Sequence, residues 1–311
     1  MKKLLAILLS ALLVISCIVG FTACGGEKNI TVVAREQGSG TREAFDKVIT
    51  DGNGNFLEMK VDGKKVYKTT SNADIQKETG NVMSKVASDK NAIGYISLGS
   101  VNNTVKVVNV NGVTPSAKSV LDGSYAIQRP FVIMTSSTVE LTDITEDFLL
   151  YLKSEASETH AEEAGCIYLA DETKRANEGE PAIPVVEYEV KSSLPSGGKI
   201  VINGSTSMEK FIKKAMSGYA NLYGRTADEL FTLDLQGSSV GKTAVQNDKN
   251  GNVIGLSSVS VKEDGVNSFN VCLDAVAVIV NNANKNVNNL TIAELYDIFS
   301  GKVTKFSEIV G

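Results

Sequence analysis

The chain is poor in the residues from which metal centres and most catalytic sets are built. Its 311 residues include one histidine, four cysteines and no tryptophan. The histidine, His160, lies in the polar stretch 157–163 (SETHAEE), which predicts a solvated side chain. Because Ser-His-Asp and Cys-His sets need a positioned histidine, and because no acidic pair stands out, the sequence argues against an enzyme. No cofactor or metal is expected.

The cysteines give no sign of a metal site or of a disulfide framework. Cys166 and Cys272 are 106 residues apart, outside any metal-ligand spacing. An exported protein could form a disulfide between them, but two buried free thiols are the favoured interpretation. The other two, Cys17 and Cys24, belong to the N-terminal segment.

Runs of basic residues are also missing. The chain has 31 lysines and arginines against 36 aspartates and glutamates, a formal net charge of −5. An acidic chain without a basic run argues against nucleic acid as a partner. Any anionic ligand must therefore be held by local geometry and not by the field of the whole protein.

The N-terminal segment is typical of an export signal, because two lysines precede an apolar run over 4–21 and small residues follow it. The junction around Cys24 (TACGG) resembles a bacterial lipobox, which implies a signal peptide at 1–23, diacylation of Cys24 and a tether at 24–29. Cleavage removes two lysines and no acid, so the net charge becomes −7. Two alternatives stay open: an uncleaved anchor, since 18 residues barely span a bilayer, and processing at Cys17.

The rest of the chain alternates between β-rich runs and amphipathic helical stretches, which indicates α/β layers. The stretch 170–198 breaks this alternation, because it is first charged and then rich in proline and glycine. It predicts a connector, with 185–190 as a possible short strand. The predicted strands cover 30–34, 92–98, 105–108, 130–134, 199–203, 231–235 and 275–280, and the predicted helices cover 42–49, 141–164, 209–219 and 292–299.

Two segments repeat one local design between a predicted strand and a predicted helix. Residues 38–45 (GSGTREAF) and 204–211 (GSTSMEKF) each open with Gly-Ser and place Glu five and Phe seven positions after that glycine. A third Gly-Ser turn lies at 236–241 (QGSSVG). One copy alone is typical of an ordinary helix cap with a capping box, whereas three copies favour a binding function.

A helix start leaves several backbone N–H groups unpaired and carries partial positive charge. Glycine allows close approach and hydroxyls add donors, so such a loop is an anion cradle. One helix start contributes only ~0.3–1 kcal/mol, whereas micromolar affinity requires about −8 kcal/mol. We therefore expect the loops to converge on one anion, with Arg35 gripping two oxygens at once unless it is a surface residue. Arg42, one residue beyond the first loop, is expected to point to solvent.

At these loops the sequence resembles the phosphate-binding proteins of bacterial phosphate ABC transporters. Residues 35–42 (REQGSGTR) are similar to the family's arginine loop, 204–207 (GSTS) to its first loop and 237–239 (GSS) to its second. The resemblance implies a periplasmic-binding-protein-like fold of type II, in which two α/β lobes with mixed sheets and flanking helices hold the anion in their cleft. Further similar landmarks lie at 92–99, 125–130, 274–281 and 290–301.

The order of these landmarks differs from the order in the family. There the Gly-Ser-Thr-Ser loop comes first, whereas here the arginine loop does, so we infer a circular permutation, which folds with neighbouring ends tolerate. One lobe then combines 30–126 with 274–311, and the other is continuous over 127–273 and contains the connector. The chain is expected to cross between the lobes near 125–131 and 272–280.

Carried over by motif, the resemblance implies a ligand set drawn from both lobes. The expected ligands are Arg35, Ser39, Gly40 and Thr41 from one lobe and Thr206, Ser207 and Ser238 from the other, with Ser205 and Ser258 beside them. Some family members have, at the place of Ser258, an aspartate that accepts a proton from the bound anion. Because a serine both donates and accepts, the choice between phosphate and sulfate stays open at this position.

The resemblance implies a lipid-anchored solute-binding protein on the extracytoplasmic face of the cell membrane, which captures inorganic phosphate for an ABC importer. Its expected partners are phosphate and the permease subunits. It is expected to be a monomer that touches the membrane through its lipid anchor alone. Two alternatives stay open: another tetrahedral oxyanion such as sulfate or molybdate, and a surface signalling or adhesion module without transport.

Overall fold

A computed structural model describes residues 28–171, 175 and 182–309. The expected signal peptide, Cys24 and most of the tether lie outside these residues. The β-rich runs form strands because their branched side chains fill buried positions, as Val32 and Val33 do in the first strand. The strands are β1 (Thr31–Arg35), β2 (Glu58–Val61), β3 (Lys64–Tyr67), β4 (Asp74–Gln76), β5 (Ala92–Ser97), β6 (Val105–Val110), β7 (Gln128–Ser136), β8 (Ile167–Tyr168), β9 (Ile200–Gly204), β10 (Phe231–Asp234), β11 (Val253–Ser257), β12 (Val266–Asn281) and β13 (Asn289–Leu290).

Several helices begin at a polar cap. The Thr291 hydroxyl, for example, accepts from the Glu294 N–H, while the Thr291 N–H donates to the Glu294 carboxylate, which makes a capping box. In the described part of the chain, no helix is long and apolar enough to cross a membrane. The α-helices are α1 (Gly40–Asp46), α2 (Thr79–Ser88), α3 (Ala117–Leu121), α4 (Asp143–Lys153), α5 (Ala156–Glu163), α6 (Glu209–Leu222), α7 (Ala227–Leu230), α8 (Ser238–Gln246) and α9 (Ile292–Ser300).

Strand β12, which is 16 residues long, joins the two halves of the fold. It pairs antiparallel with β7 over its first part and with β5 and β6 over its second. The hydrogen-bonded path runs β10-β9-β11-β7-β12-β5-β1-β4, so the two expected mixed sheets meet on one shared strand. We call the half built on β1, β4, β5 and β6 the Arg35 lobe, and the half built on β7 to β11 the Ser207 lobe.

Each lobe has its own apolar core. In the Arg35 lobe the rings of Phe45 and Tyr95 stack with centroids 4.1 Å apart, and Phe299 meets Phe45 edge-on at 4.8 Å. In the Ser207 lobe Phe148 packs against Tyr219 at 5.1 Å. All five side chains are buried, and burying such a side chain contributes ~1.5–3 kcal/mol. Two separate cores thus hold the loops of each lobe in place.

The two strands that pass between the lobes carry a buried ion pair. Arg129 on β7 lies opposite Asp274 on β12. Arg129 Nη2 donates to Asp274 Oδ2 at 2.8 Å, and both side chains are at most 1% exposed. Removing one partner of such a pair costs ~3–5 kcal/mol, because the other charge stays buried. The pair therefore fixes the register of the two crossing strands.

The described part of the 170–198 connector is packed against the Ser207 lobe, while 172–174 and 176–181 lie outside the described residues. The connector is held there by the buried carboxylate of Asp147 on α4. The short strand considered for 185–190 is wrong: one isolated bridge forms there, between Val186 and Ser154, and the Tyr188 hydroxyl binds Asp147. The groups bound to Asp147 are the hydroxyls of Tyr188 (2.8 Å), Tyr219 (2.8 Å) and Tyr223 (3.0 Å) and the ammonium of Lys191 (3.2 Å).

The prediction that His160 is solvated is wrong. The acidic residues and the threonine beside it on α5 are exposed, but the helix turns His160 inward, where it is half-buried and its Nε2 lies 2.6 Å from the Tyr151 hydroxyl. Burial lowers the pKa of His160, so the neutral ring acts as a structural hydrogen-bond partner. Cys166 and Cys272 are buried free thiols, as the sequence favours.

Candidate anion-binding site

The loop after β1 brings three of the predicted residues to the start of α1. Gly38 has φ +94°, a backbone conformation that other residues rarely adopt. The Ser39 hydroxyl accepts a hydrogen bond from the Arg42 N–H at 3.4 Å, which is the helix-cap role that the sequence also allows for one such loop. Gly40 and Thr41 form the first turn of α1, and both are buried.

The two loops of the Ser207 lobe are built in the same way. Gly204 has φ +135° and Gly237 has φ +120°, and they lead into the 3-10 turn Thr206–Met208 and into α8. Ser205 caps the 3-10 turn by accepting from the Ser207 N–H at 3.3 Å. The Gly237 N–H donates to the Gly204 carbonyl oxygen at 2.8 Å, so the two loops are tied side by side.

The loops of the two lobes meet through hydroxyl groups. Thr41 Oγ1 lies 2.9 Å from Ser207 Oγ, which is a direct contact between lobes. Ser258 Oγ lies 3.0 Å from Ser205 Oγ and 3.3 Å from Ser238 Oγ, so it connects two loops of one lobe. The structure places all the predicted residues in one buried hydroxyl cluster: Arg35, Ser39, Gly40, Thr41, Ser205, Thr206, Ser207, Ser238 and Ser258.

Arg35 lies in this cluster with 2% of its surface exposed, and most of its donors are already engaged. Glu36 accepts from Nε at 3.0 Å and from Nη2 at 3.1 Å. The carbonyl oxygens of Gln76 and Lys77 accept from the same two nitrogens. Because this edge of the guanidinium is occupied, Nη1 is the nitrogen left for a ligand, and it lies 3.4 Å from the Thr79 hydroxyl.

Arg42 does not point to solvent, so that prediction is wrong. It is 6% exposed, and its Nε pairs with Asp46 Oδ2 at 3.0 Å while Nη1 donates to the Arg35 carbonyl oxygen at 2.9 Å. The ring of Tyr67, on the hairpin formed by β2 and β3, covers the guanidinium at 5.1 Å. Arg42 thus supports the arginine loop through the Arg35 carbonyl oxygen. It is buried because the β2–β3 hairpin, which the sequence did not predict, covers it.

Burial raises the pKa of Asp46 from 3.8 to about 6, although the Arg42 guanidinium opposes the shift. Since the folded-state pKa is the higher one, stability is gained as the pH falls through about 6 and lost as it rises again. Relative to Asp46→Asn, which cannot titrate, the wild-type protein is expected to gain up to about 3 kcal/mol from neutral pH to about pH 4. Urea unfolding of both proteins across this range measures the gain, and parallel pH profiles would contradict it.

One residue that contacts the hydroxyl cluster, Thr79, is not predicted by the sequence motifs. Thr79 begins α2 and is 5% exposed, and its Oγ1 lies 3.1 Å from Thr206 Oγ1 across the lobes. The available signal is a helix start, Glu78-Thr79-Gly80, ahead of an apolar position at Val82. It lacks the Gly-Ser pair of the other loops, so the repeated motif does not point to it.

Two open cavities adjoin the hydroxyl cluster. One, of about 810 Å³, is lined by Thr79 and Thr206 together with side chains of α6 and β10. The other, of about 390 Å³, is lined by Ser39, Arg42 and Ser238 together with the β2–β3 hairpin. Because residues of both lobes line each cavity, both lie at the interlobe cleft and connect the cluster to solvent.

The cluster is suited to binding an anion. It offers hydroxyl donors, the N–H groups of helix starts and one arginine in a largely buried interface, where electrostatic interactions exceed their strength in bulk water. The serines have no histidine beside them to act as a base, because the chain's single histidine is bound to Tyr151 on α4. Within residues 28–171, 175 and 182–309, no three His, Cys, Asp or Glu side chains are grouped to hold a metal ion.

Comparison with known proteins identifies the family of the chain. It matches the PBP superfamily domain over residues 23–156 and 189–311. The phosphate-binding protein PstS 2 of Streptococcus pneumoniae serotype 4 is 34% identical over 304 residues, 93% of this chain and 94% of that protein. PstS 2 of Streptococcus agalactiae serotype V is 34% identical over 285 residues, 90% and 87% of the two chains. The phosphate-binding protein PstS of Bacillus subtilis is 32% identical over 133 residues, 42% and 38% of the two chains.

The fold comparison agrees with the sequence comparison. A crystal structure of the phosphate-binding protein of a phosphate ABC transporter from Streptococcus pneumoniae TIGR4 matches with a TM-score of 0.64 at 34% identity. The match covers 90% of this chain and 99% of that one, and it confirms the predicted periplasmic-binding-protein-like α/β fold. The chain therefore belongs to the PBP superfamily and, within it, to the family of the PstS phosphate-binding proteins.

Proposed function

We propose that this chain captures inorganic phosphate outside the cytoplasm and delivers it to the permease subunits of an ABC importer. The observation that carries the proposal is the buried hydroxyl cluster, in which Thr41 meets Ser207 between the lobes and Arg35 is buried with Nη1 against Thr79. Relatives that match nearly the whole chain bear the name phosphate-binding protein. The role we propose is binding, because the cluster supplies hydroxyl, N–H and guanidinium donors for an anion.

Calorimetric titration of the mature protein with phosphate, after any bound ligand has been stripped, tests the proposal. We expect one phosphate per chain with micromolar or tighter affinity, which corresponds to about −8 kcal/mol or better. The absence of any binding heat or mass adduct at millimolar phosphate would refute the proposal. Phosphate ester turnover would instead point to an enzyme.

The same titration with sulfate, molybdate and arsenate tests the choice of ligand. Ser258 contacts Ser205 and Ser238 and places a neutral hydroxyl where some family members have a carboxylate. A carboxylate repels an unprotonated dianion, whereas a hydroxyl donates to it. Arsenate is expected to bind like phosphate at both a neutral and a mildly acidic pH. Tighter binding of sulfate or molybdate than of phosphate would assign the site to that oxyanion.

Delivery to a permease and a monomeric state are parts of the same proposal. Delivery is supported by the solved relative, which is the phosphate-binding protein of a phosphate ABC transporter. Phosphate-dependent stimulation of ATP hydrolysis by the reconstituted cognate importer would support delivery, and its absence would favour the signalling or adhesion alternative. Sedimentation equilibrium is expected to give the mass of one chain, and a stable dimer would contradict the monomer.

We propose that Cys24 carries a lipid anchor and that residues 1–23 are removed. The support is the small-residue junction behind an apolar run. Cys24→Ala is expected to release the protein from the membrane fraction or to block its processing, because the sulfur is the acyl acceptor. Cys17→Ala is the matched control and is expected to leave both unchanged. Unchanged fractionation and mass in Cys24→Ala would rule against the anchor.

We propose that the chain is a circular permutant of the usual family order, with the lobe boundaries expected from the sequence. The Ile30 N–H donates to the Thr304 carbonyl oxygen at 2.7 Å, so the first and last described segments lie side by side. The match to the Bacillus subtilis relative covers only 133 residues, 42% of this chain, and a change of segment order would produce a partial match of this kind. Joining residue 309 to residue 28 and opening the chain within 176–181 is expected to preserve phosphate binding. An insoluble product would count against the permutation.

A further inference from the structure

Two hydroxyl pairs cross from one lobe to the other at the binding loops. Thr41 meets Ser207 at 2.9 Å, and Thr79 meets Thr206 at 3.1 Å. Because Thr206 and Ser207 are neighbours in one loop, their partners lie close together on the facing lobe. Thr79 therefore takes a place beside Thr41, although it comes from a different element, the start of α2.

Thr79 also contacts the end of Arg35 that Glu36 leaves free. Nε and Nη2 are bound by Glu36 and by backbone carbonyl oxygens. Nη1 lies 3.4 Å from Thr79 Oγ1, a long hydrogen bond, and it carries two N–H donors. The Thr79 hydroxyl thus lies between the available donors of the arginine and the Thr206 hydroxyl of the facing lobe.

The Thr79 hydroxyl is not used by the helix that carries it. The residue preceding α2, Glu78, makes no side-chain cap hydrogen bond, and the Thr79 hydroxyl is bonded to Arg35 and Thr206. The next residue, Gly80, has open space where a side chain would be. Thr79, Gly80 and Thr206 all line the cavity of about 810 Å³. A buried hydroxyl therefore lies at the solvent-connected end of the hydroxyl cluster.

We propose that Thr79 is a positioning residue of the anion site, supplied by a fourth loop. Its hydroxyl accepts from Arg35 Nη1 and thereby directs that nitrogen into the cleft. The same hydroxyl donates to Thr206 when the lobes close, because a hydroxyl both donates and accepts. An anion oxygen bound at Nη1 then receives a charge-assisted hydrogen bond from a donor that is already oriented. This inference rests on the proposed function, since it assigns Thr79 to the same site.

Phosphate titration of Thr79→Val and Thr79→Ser tests the inference, because valine keeps the shape without the hydroxyl and serine keeps the hydroxyl. Thr79→Val is expected to weaken phosphate binding about tenfold, equivalent to about 1.4 kcal/mol for one hydrogen bond. Thr79→Ser is expected to stay within about twofold of wild type. Wild-type affinity in Thr79→Val, or equal weakening in both variants, would overturn the inference. Failure of the wild-type protein itself to bind would instead refute the proposed function.

Two further measurements separate positioning from a general effect on folding. Thr291→Val removes the cap of α9 and is expected to lower the melting temperature without changing phosphate affinity. In a Thr206→Val background, Thr79→Val is expected to weaken phosphate binding less than about threefold, because the effects of substituting two residues in contact are not additive. A full tenfold loss in that background would overturn the pairing across the lobes.

Discussion

Phosphate binding is expected to weaken by about 2–5 kcal/mol when Arg35 is replaced by alanine, which is roughly 30-fold to several thousand-fold. The substitution removes the fixed positive charge of the hydroxyl cluster. It also leaves the Glu36 carboxylate, which now accepts from Nε and Nη2, without its partner beside the site. A carboxylate without its cation repels a bound anion, so the loss exceeds that of one hydrogen bond. Calorimetric titration of the purified variant measures the loss.

Three companion variants show which part of the loss belongs to which group. Arg35→Ala combined with Glu36→Gln is expected to bind phosphate better than Arg35→Ala alone, because the repulsion is gone. Arg35→Lys is expected to recover only part of the lost phosphate affinity, since an ammonium has one nitrogen and cannot bind Glu36 through two nitrogens while a third contacts the anion. Arg42→Ala is expected to weaken phosphate binding less than Arg35→Ala does, since Arg42 supports the loop only indirectly, through the Arg35 carbonyl oxygen. If Arg42→Ala abolished binding while Arg35→Ala left it intact, the assigned arginine would be the wrong one.

The sequence predicts well the parts of the fold that neighbouring residues determine. Strand β5 is fully buried over its six residues and stands in the sequence as an unbroken apolar and small-residue run. The start of α1 follows from Ser39, which caps it as the motif requires. Glycines at positive φ, such as Gly204, stand at strand ends where a turn has to begin.

The sequence predicts poorly the parts that depend on distant contacts. Strand β12 begins at Val266, well before the predicted start at 275, because its first half carries asparagines and serine that pairing with β7 tolerates. The helical pattern over 141–164 is two helices, since the chain leaves helical geometry at Ser154. The β2–β3 hairpin is largely polar, so no alternation of apolar residues predicts its strands, yet it covers Arg42.

The site shows the same division. The Gly-Ser loops are recognisable because each is a local design of a few residues. The state of the Arg35 guanidinium depends on Gln76, Lys77 and Thr79, which lie more than 40 residues away in the chain and carry no motif. Which donors of a predicted ligand remain available is therefore a property of the folded packing.

Adding one methyl group at Gly40 is expected to weaken phosphate binding by about 1–3 kcal/mol, or about 5-fold to 150-fold, by overpacking the closed interface. A Cβ atom there would lie 2.6 Å from Ser238 Oγ, closer still to Ser258 Oγ, and 3.1 Å from the Ser258 carbonyl carbon. The hydroxyls can turn away only by giving up the hydrogen bonds that join their loops, and the backbone carbon cannot turn at all. The methyl group therefore keeps the two lobes apart.

The free protein is expected to tolerate the same change, and this separates a closure defect from a folding defect. Alanine favours the first turn of α1 over glycine by up to about 1 kcal/mol, and opening of the lobes relieves the clash, so the melting temperature of Gly40→Ala without phosphate should not fall. Gly218→Ala is the matched control, because its Cβ atom would lie 2.5 Å from the Tyr151 hydroxyl and 2.6 Å from His160 Nε2 inside one lobe. That variant is expected to melt at a lower temperature and to bind phosphate normally. If Gly40→Ala bound as tightly as wild type, Gly40 would not face the other lobe in the phosphate-bound state.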